Sequence, residues 1–141
     1  MNIHSDRIVS TATEPAAIID PDEGACSALI IDAGAVKRVG ARLAGDRLVA
    51  ATAALFSAAG DPTRFRILDA LSYEELCVCD LATLTGISQS GVSHQLRLLR
   101  DRGLVSFTRD GNRAVYRLAD GHVRTLLAQG LEHAAEVGES R

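Results

Sequence analysis

Apolar residues recur near helical spacing from Ala35 to Ala59, where Val36, Val39, Leu43, Leu48, Ala51, Leu55 and Phe56 line up and Gly45 offers a break. The stretch predicts one long helix or two short ones. Asp61-Pro62 then supplies an N-cap followed by proline at the first helical position, and Phe65, Ile67, Leu68 and Leu71 give that helix one buried side, ending near Ser72. Two short helical patterns follow, 74–84 and 88–101, separated by Thr85-Gly86-Ile87. Gly86 permits the tight connection of a helix-turn-helix. In the second of these helices Val92, Leu96 and Leu99 fall at i, i+4 and i+7, and Ser88 stands where a cap belongs.

The periodicity then changes. Leu104–Thr108 and Ala114–Leu118 alternate as strands, and the Asp110-Gly111 pair between them is a hairpin signal. A last helix runs from about Ala119 to Val137. Residues 1–33 mix Asp, Glu, Pro and Gly with short apolar pairs and keep no period, which predicts a flexible arm ordered on demand ahead of a domain spanning 34–141. Helix, helix, helix-turn-helix, hairpin, helix is the order of a winged helix: mainly α, with a β-hairpin wing.

With 141 residues, 47% hydrophobic and only 4% aromatic with no Trp, the chain has room for one core of Ala, Leu, Val and Ile. No apolar run approaches the ~20 residues of a membrane span, and no basic segment precedes an apolar stretch as in a secretory signal. The expectation is a cytoplasmic protein. Its three cysteines cannot all pair within one chain, and a reducing compartment keeps them as thiols, which directs attention to metal or redox chemistry.

The net charge of -3 conceals a local excess of cations: residues 85–117 hold six Arg against two acidic residues, whereas 1–36 hold one Arg against six. A basic window within an acidic chain is the footprint of a nucleic-acid surface, although a solvated basic face produces it too. The free face of 88–100 carries Gln89, Ser90, Ser93 and His94, short hydrogen-bonding side chains suited to base edges. Arg97 and Arg100, with Arg109 and Arg113 at the hairpin tip, are candidate phosphate contacts on double-stranded operator DNA.

Two clusters offer metal ligands. The first is Cys77-Val78-Cys79-Asp80. Residues two apart in regular helix point about 200° from one another, so both sulfurs reach one ion only if this turn is irregular, and such irregularity is expected. A thiolate near a helix N-terminus favours soft metals. Cys26 in the acidic arm is the only other cysteine, and the arm, folding over from the same subunit or another, would complete a three-sulfur site; Asp80, Asp22, Glu23 or water would add oxygen. The alternative is that these cysteines are small buried hydrophobes.

The second cluster is Asp120 and His122 with His133 and Glu136, all on the last helix. His122 and His133 are 11 residues apart and lie about 16 Å from each other along the axis, so one ion cannot bind all four in one chain. An antiparallel copy of the helix would bring Asp120 and His122 of one chain to His133 and Glu136 of the other. That arrangement implies a homodimer and mixed N and O donors suited to Zn(II). His4 has no such company.

The segments Asp61-Pro62-Thr63-Arg64-Phe65-Arg66-Ile67-Leu68, Glu75-Leu76-Cys77-Val78-Cys79-Asp80-Leu81-Ala82 and Ser88-Gln89-Ser90-Gly91-Val92-Ser93-His94-Gln95-Leu96 resemble those of the ArsR/SmtB family of metal-sensing winged-helix repressors, over roughly residues 46–137. Within it the similarity is nearest to the cadmium and lead sensors called CadC. The resemblance implies a dimeric repressor of a metal-efflux gene, released when Cd(II) or Pb(II) binds a thiolate site that includes Cys77 and Cys79, with a zinc-type site at Asp120, His122, His133 and Glu136. Those sensors typically offer two arm cysteines, whereas this arm has Cys26 alone. Arsenite sensors often carry a third cysteine where this chain has Ala82. Rival expectations are an arsenite-responsive repressor, a thiol-redox switch pairing Cys26 with Cys77 or Cys79, and a zinc-stabilised protein-interaction module. An enzyme is the least supported class, since Ser93-His94 lack a third group.

Overall fold

The computed structural model describes residues 7–9 and 30–141. The chain divides into two units, Met1–Gly45 and Asp46–Arg141. The composition shift after residue 33 suggests an earlier boundary. In the first unit β1 (Arg7–Val9) pairs antiparallel with β2 (Ile30–Asp32), Ile8 opposite Ile31. Strands this short leave no period in the sequence. Helix α1 (Ala33–Gly40) starts where Asp32 accepts the Ala35 N–H at 2.8 Å.

The second unit opens with α2 (Asp46–Ala59), so the 35–59 pattern is two helices. Helix α3 (Pro62–Tyr73) begins at the expected cap: the Asp61 carboxylate accepts the Arg64 N–H at 3.0 Å, and proline follows at the first position, where its missing N–H costs nothing. The 74–84 stretch departs from the expected helix. Leu76–Cys77 form a two-residue strand, β3, and α4 (Val78–Thr85) starts only after it. Extended backbone wins there because Leu76 and Cys77 pair with Tyr116 and Val115 of a distant strand.

Helix α4 ends on Gly86, at φ 74°, a left-handed conformation that glycine adopts without a Cβ penalty. Helix α5 (Gln89–Asp101) follows, capped by Ser88 accepting the Gly91 N–H at 3.1 Å. The wing is β4 (Val105–Asp110) and β5 (Arg113–Leu118) around a turn at Gly111-Asn112, tighter than the 109–113 connection expected. Gly111 has φ 61°, at the position where two-residue hairpins favour glycine. Strand order is β3-β5-β4, and α6 (Gly121–Glu139) closes the chain.

The core lies among α3, α4, α5, the wing base and α6. Ile67, Leu68, Leu81, Val92, Leu96 and Leu99 are fully buried, joined by Leu104, Leu118, Val123 and Leu127. Val92, Leu96 and Leu99 are the i, i+4, i+7 stripe read from the sequence. Phe65 is only partly buried against this core. No described helix is long and apolar enough to cross a membrane.

Candidate DNA interface and metal-ligand clusters

Burying Val92, Leu96 and Leu99 turns the opposite face of α5 outward. Gln89, Ser90, Ser93, His94, Arg97 and Arg100 are all exposed, the Ser90 hydroxyl lying 3.2 Å from that of Ser88. Arg100 has a second contact that periodicity does not show: its guanidinium lies 5.2 Å from the centroid of the Phe107 ring on β4. A cation over an aromatic face ties the helix to the wing. Phe107 in turn packs against Tyr116 with centroids 5.3 Å apart. Arg109, opposite Ala114, and Arg113, opposite Asp110, flank the turn and are exposed; Arg113 approaches Asp110 at 3.8 Å.

Arg64 is a residue that the sequence reading passed over. Its Nε donates to the Ala58 carbonyl at 2.7 Å and its Nη1 to Gln95 Oε1 at 3.2 Å. One side chain thus ties the end of α2, the start of α3 and the middle of α5. A lone arginine in a cap motif carries no signal of so distant a partner.

At the first cluster, Cys77 has extended backbone, φ -85° and ψ 170°, and Cys79 lies in the first turn of α4. The expected irregularity is this strand-to-helix junction. Cys77 is buried and Cys79 exposed, both as free thiols. The Asp80 carboxylate accepts from Cys77 twice, from Sγ–H at 3.0 Å and from the backbone N–H at 3.4 Å. These bonds hold its carboxyl below the usual range, and the positive charge of Arg113 adds to the effect. A recess of ≈ 250 Å³ is lined by Cys77 and Cys79 together with Arg109, Asn112 and Arg113 from the wing. Cys26 lies outside the described residues.

At the second cluster, Asp120 is the N-cap of α6: its Oδ1 accepts the Val123 N–H at 3.1 Å and lies 3.5 Å from His122 Nδ1. His122, His133 and Glu136 are exposed. His133 borders an apolar groove of ≈ 480 Å³ lined by Phe56, Phe65 and Leu126. Among the described residues of one chain, no three His, Cys, Asp or Glu side chains converge as a metal group.

The Asp120 cap has a pH signature. The Val123 N–H is the largest cause holding its carboxyl below the usual value, and His122 contributes further. A folded-state value below the unfolded one means stability that is present above the unfolded value and lost as pH falls through the folded one. Asp120→Ala should therefore lower the thermal midpoint at neutral pH, and the gap to the parent protein should close as the pH falls through and below the usual carboxylate range. Thermal denaturation over a pH series checks this; a deficit equal at every pH would show that the carboxylate is not what holds this helix end.

Residues 61–106 match the profile of the bacterial regulatory proteins of the arsR family. The chain is 49% identical over 84 residues to the transcriptional repressor SmtB homolog of Synechocystis, a match covering 60% of this chain and 64% of that protein. It is 41% identical over 86 residues to the cadmium resistance transcriptional regulatory protein CadC homolog of Staphylococcus aureus, covering 60% and 71%. Among solved structures, it superposes on the homodimeric winged helix-turn-helix DNA-binding domain of a possible ArsR-family regulator from Mycobacterium bovis. That match has a TM-score of 0.65 and 34% identity, and covers 70% of this chain and 94% of the other. Similarity is thus shared between SmtB-type and CadC-type relatives and does not single out the cadmium sensors. With the profile match spanning the helix-turn-helix, and with 41% identity to a relative of which the match covers 71%, the chain belongs to the arsR family of bacterial regulatory proteins.

Proposed function

We propose that this protein is a metal-responsive transcriptional repressor that binds operator DNA as an apo homodimer and is released by soft heavy-metal ions, Cd(II) or Pb(II), so controlling metal-efflux or resistance genes. The observation that carries the reading is the position of Cys77. Its backbone pairs with Val115 of the wing, and the next residue begins α4, the first helix of the helix-turn-helix. A ligand that pulls on Cys77 acts on both DNA-reading parts at once.

The donor set fits a soft ion. Two thiols border one recess, and a carboxylate lies within 3.0 Å of one of them. Sulfur selects soft metals, and the ion takes the place of the thiol protons. Cys26 would supply the third sulfur. Metal and DNA then oppose each other with a coupling of ~1–3 kcal/mol, felt equally by both ligands.

A homodimer is supported by apolar side chains left exposed on α2 and α6: Leu48 is 60% exposed, Phe56 52% and Leu131 43%. Such residues call for a partner surface. A second copy of α6 would also bring Asp120 and His122 to His133 and Glu136, completing a Zn(II) site that no single chain contains.

Fluorescence anisotropy of labelled DNA from the region upstream of the protein's own gene, with reduced apo protein, tests the reading. Binding should weaken with salt at a log–log slope of about -0.9 per phosphate contacted. Cd(II) or Pb(II) should then release the DNA. Release by Zn(II) alone would move regulation to α6, and release by arsenite alone would make this an arsenite sensor. Release by oxidant with no metal effect would establish a thiol switch. No salt-sensitive DNA binding at all would leave the zinc-stabilised interaction module.

A further inference from the structure

We propose that Phe107 is a positioning residue for DNA binding, holding the Arg100 guanidinium for a backbone phosphate at the junction of α5 and the wing. The proposal rests on the DNA reading above and extends it from the side chains that touch DNA to one that directs such a contact. The Arg100 guanidinium carbon lies 5.2 Å from the centroid of the Phe107 ring. The ring is itself held. Phe107 faces Tyr116 across β4 and β5 with centroids 5.3 Å apart, and Tyr116, packed against the core, pairs on its other side with Leu76 of β3. The Leu104 N–H donates to the Leu99 carbonyl at 3.0 Å, which ties the residue before β4 to the last turn of α5. Arg100 is exposed and Phe107 half-buried, so the charge stands at the surface while its support belongs to the packing of the wing.

Arginine is a long, flexible side chain, and fixing it on a phosphate costs conformational entropy that weakens binding. A ring face that attracts the cation removes part of that freedom before DNA arrives. The attraction acts on the charge and needs no lone pair, so the guanidinium keeps its N–H donors, the fork that matches phosphate oxygens. Arg97, three residues earlier on the same exposed face, supplies the comparison: among the described residues, Arg100 on Phe107 is the one cation–aromatic contact. An apolar ring offers phosphate neither a donor nor a charge. The contribution of Phe107 to phosphate binding therefore passes through Arg100 and vanishes when Arg100 is removed.

The experiment uses the full reduced apo chain and the labelled upstream DNA at fixed low salt, in a double-mutant cycle read by anisotropy. Phe107→Leu, which keeps an apolar side chain against Tyr116, should weaken binding about three- to tenfold. In the Arg100→Gln background the same change should cost less than about twofold, whereas beside Arg97→Gln it should cost its full amount. Phe107→Tyr, which keeps a ring under the cation, should bind within about twofold of the parent. Nuclear magnetic resonance of the free protein gives a readout without DNA: the ring current should move the Arg100 side-chain protons upfield in the parent and in Phe107→Tyr, and Phe107→Leu should return them toward ordinary values. No loss of affinity in Phe107→Leu, equal losses with and without Arg100, or unshifted Arg100 protons in the parent would each overturn the role of Phe107 while leaving the DNA reading standing. Absence of salt-sensitive DNA binding by the parent overturns both, and circular dichroism confirms that the variants fold.

Discussion

Replacing Cys77 with serine is expected to leave apo DNA binding intact and to abolish release by Cd(II) and Pb(II). Serine fits the site on three grounds. It is close in size to cysteine, its hydroxyl is able to donate to the Asp80 carboxylate as the thiol does at 3.0 Å, and it is a preferred residue at the N-cap position that Cys77 holds. The start of α4 is therefore kept. What is lost is the soft donor, because a hydroxyl is not deprotonated at neutral pH and oxygen does not replace sulfur for Cd(II) or Pb(II). The fall in Cd(II) affinity should exceed the roughly 10–100-fold that removal of an outer hydrogen-bond partner costs a metal site. Anisotropy titrations of DNA with and without Cd(II) read both properties in one experiment. Loss of DNA affinity in the apo variant would show that the thiol shapes the helix-turn-helix itself and would end this division of labour.

The second large effect is on stability. Leu96→Ala should destabilise the second unit by about 2–5 kcal/mol, because the leucine is fully buried on the inner face of α5 and its removal leaves a cavity as well as losing burial. That is a large share of the ~5–15 kcal/mol by which a domain is held together. At about 4–8 °C per kcal/mol for a domain of this size, the thermal midpoint should fall by about 10 °C or more. Urea denaturation followed by circular dichroism gives the free energy directly. A loss below about 1 kcal/mol would mean that α5 does not rest on this side chain as its burial indicates. DNA binding should weaken in step, since Gln89, Ser93 and Arg97 are presented by the helix that Leu96 anchors.

The fold was legible wherever its cause is local. Asp61 and Ser88 each cap a helix through an N–H three residues ahead, so capping residue and helix start lie together in the sequence. Ser88 and the Val92, Leu96, Leu99 stripe between them define α5 and, by exclusion, its exposed polar face, the candidate DNA contact. Asp110-Gly111 places the hairpin. Asp120 is offered by the sequence as a candidate metal ligand and not as the cap it is, because carboxylates serve both purposes and the sequence does not say which N–H comes within reach.

The candidate site was legible only in part. The C-x-C pair signals thiolate chemistry, yet its irregular turn could be expected only on condition that both sulfurs serve one ion. The strand at Leu76–Cys77 has no propensity signal: two residues are too few for a period, and they become extended through pairing with Tyr116 and Val115. The link from Arg64 to Gln95 and the stacking of Arg100 on Phe107 are likewise products of approach between distant elements.

The sequence by itself determined the order of helices and most of the strands, the buried stripe of α5, the basic window, and the two clusters of candidate ligands. Each of these depends on residues within a turn or two of one another, or on composition. Only the tertiary structure decided that the thiols and the wing arginines share one recess and that Cys77 joins the wing to the helix-turn-helix. Strand register brings those groups together, and register is set by the packing of the whole core, to which no short stretch of sequence has access.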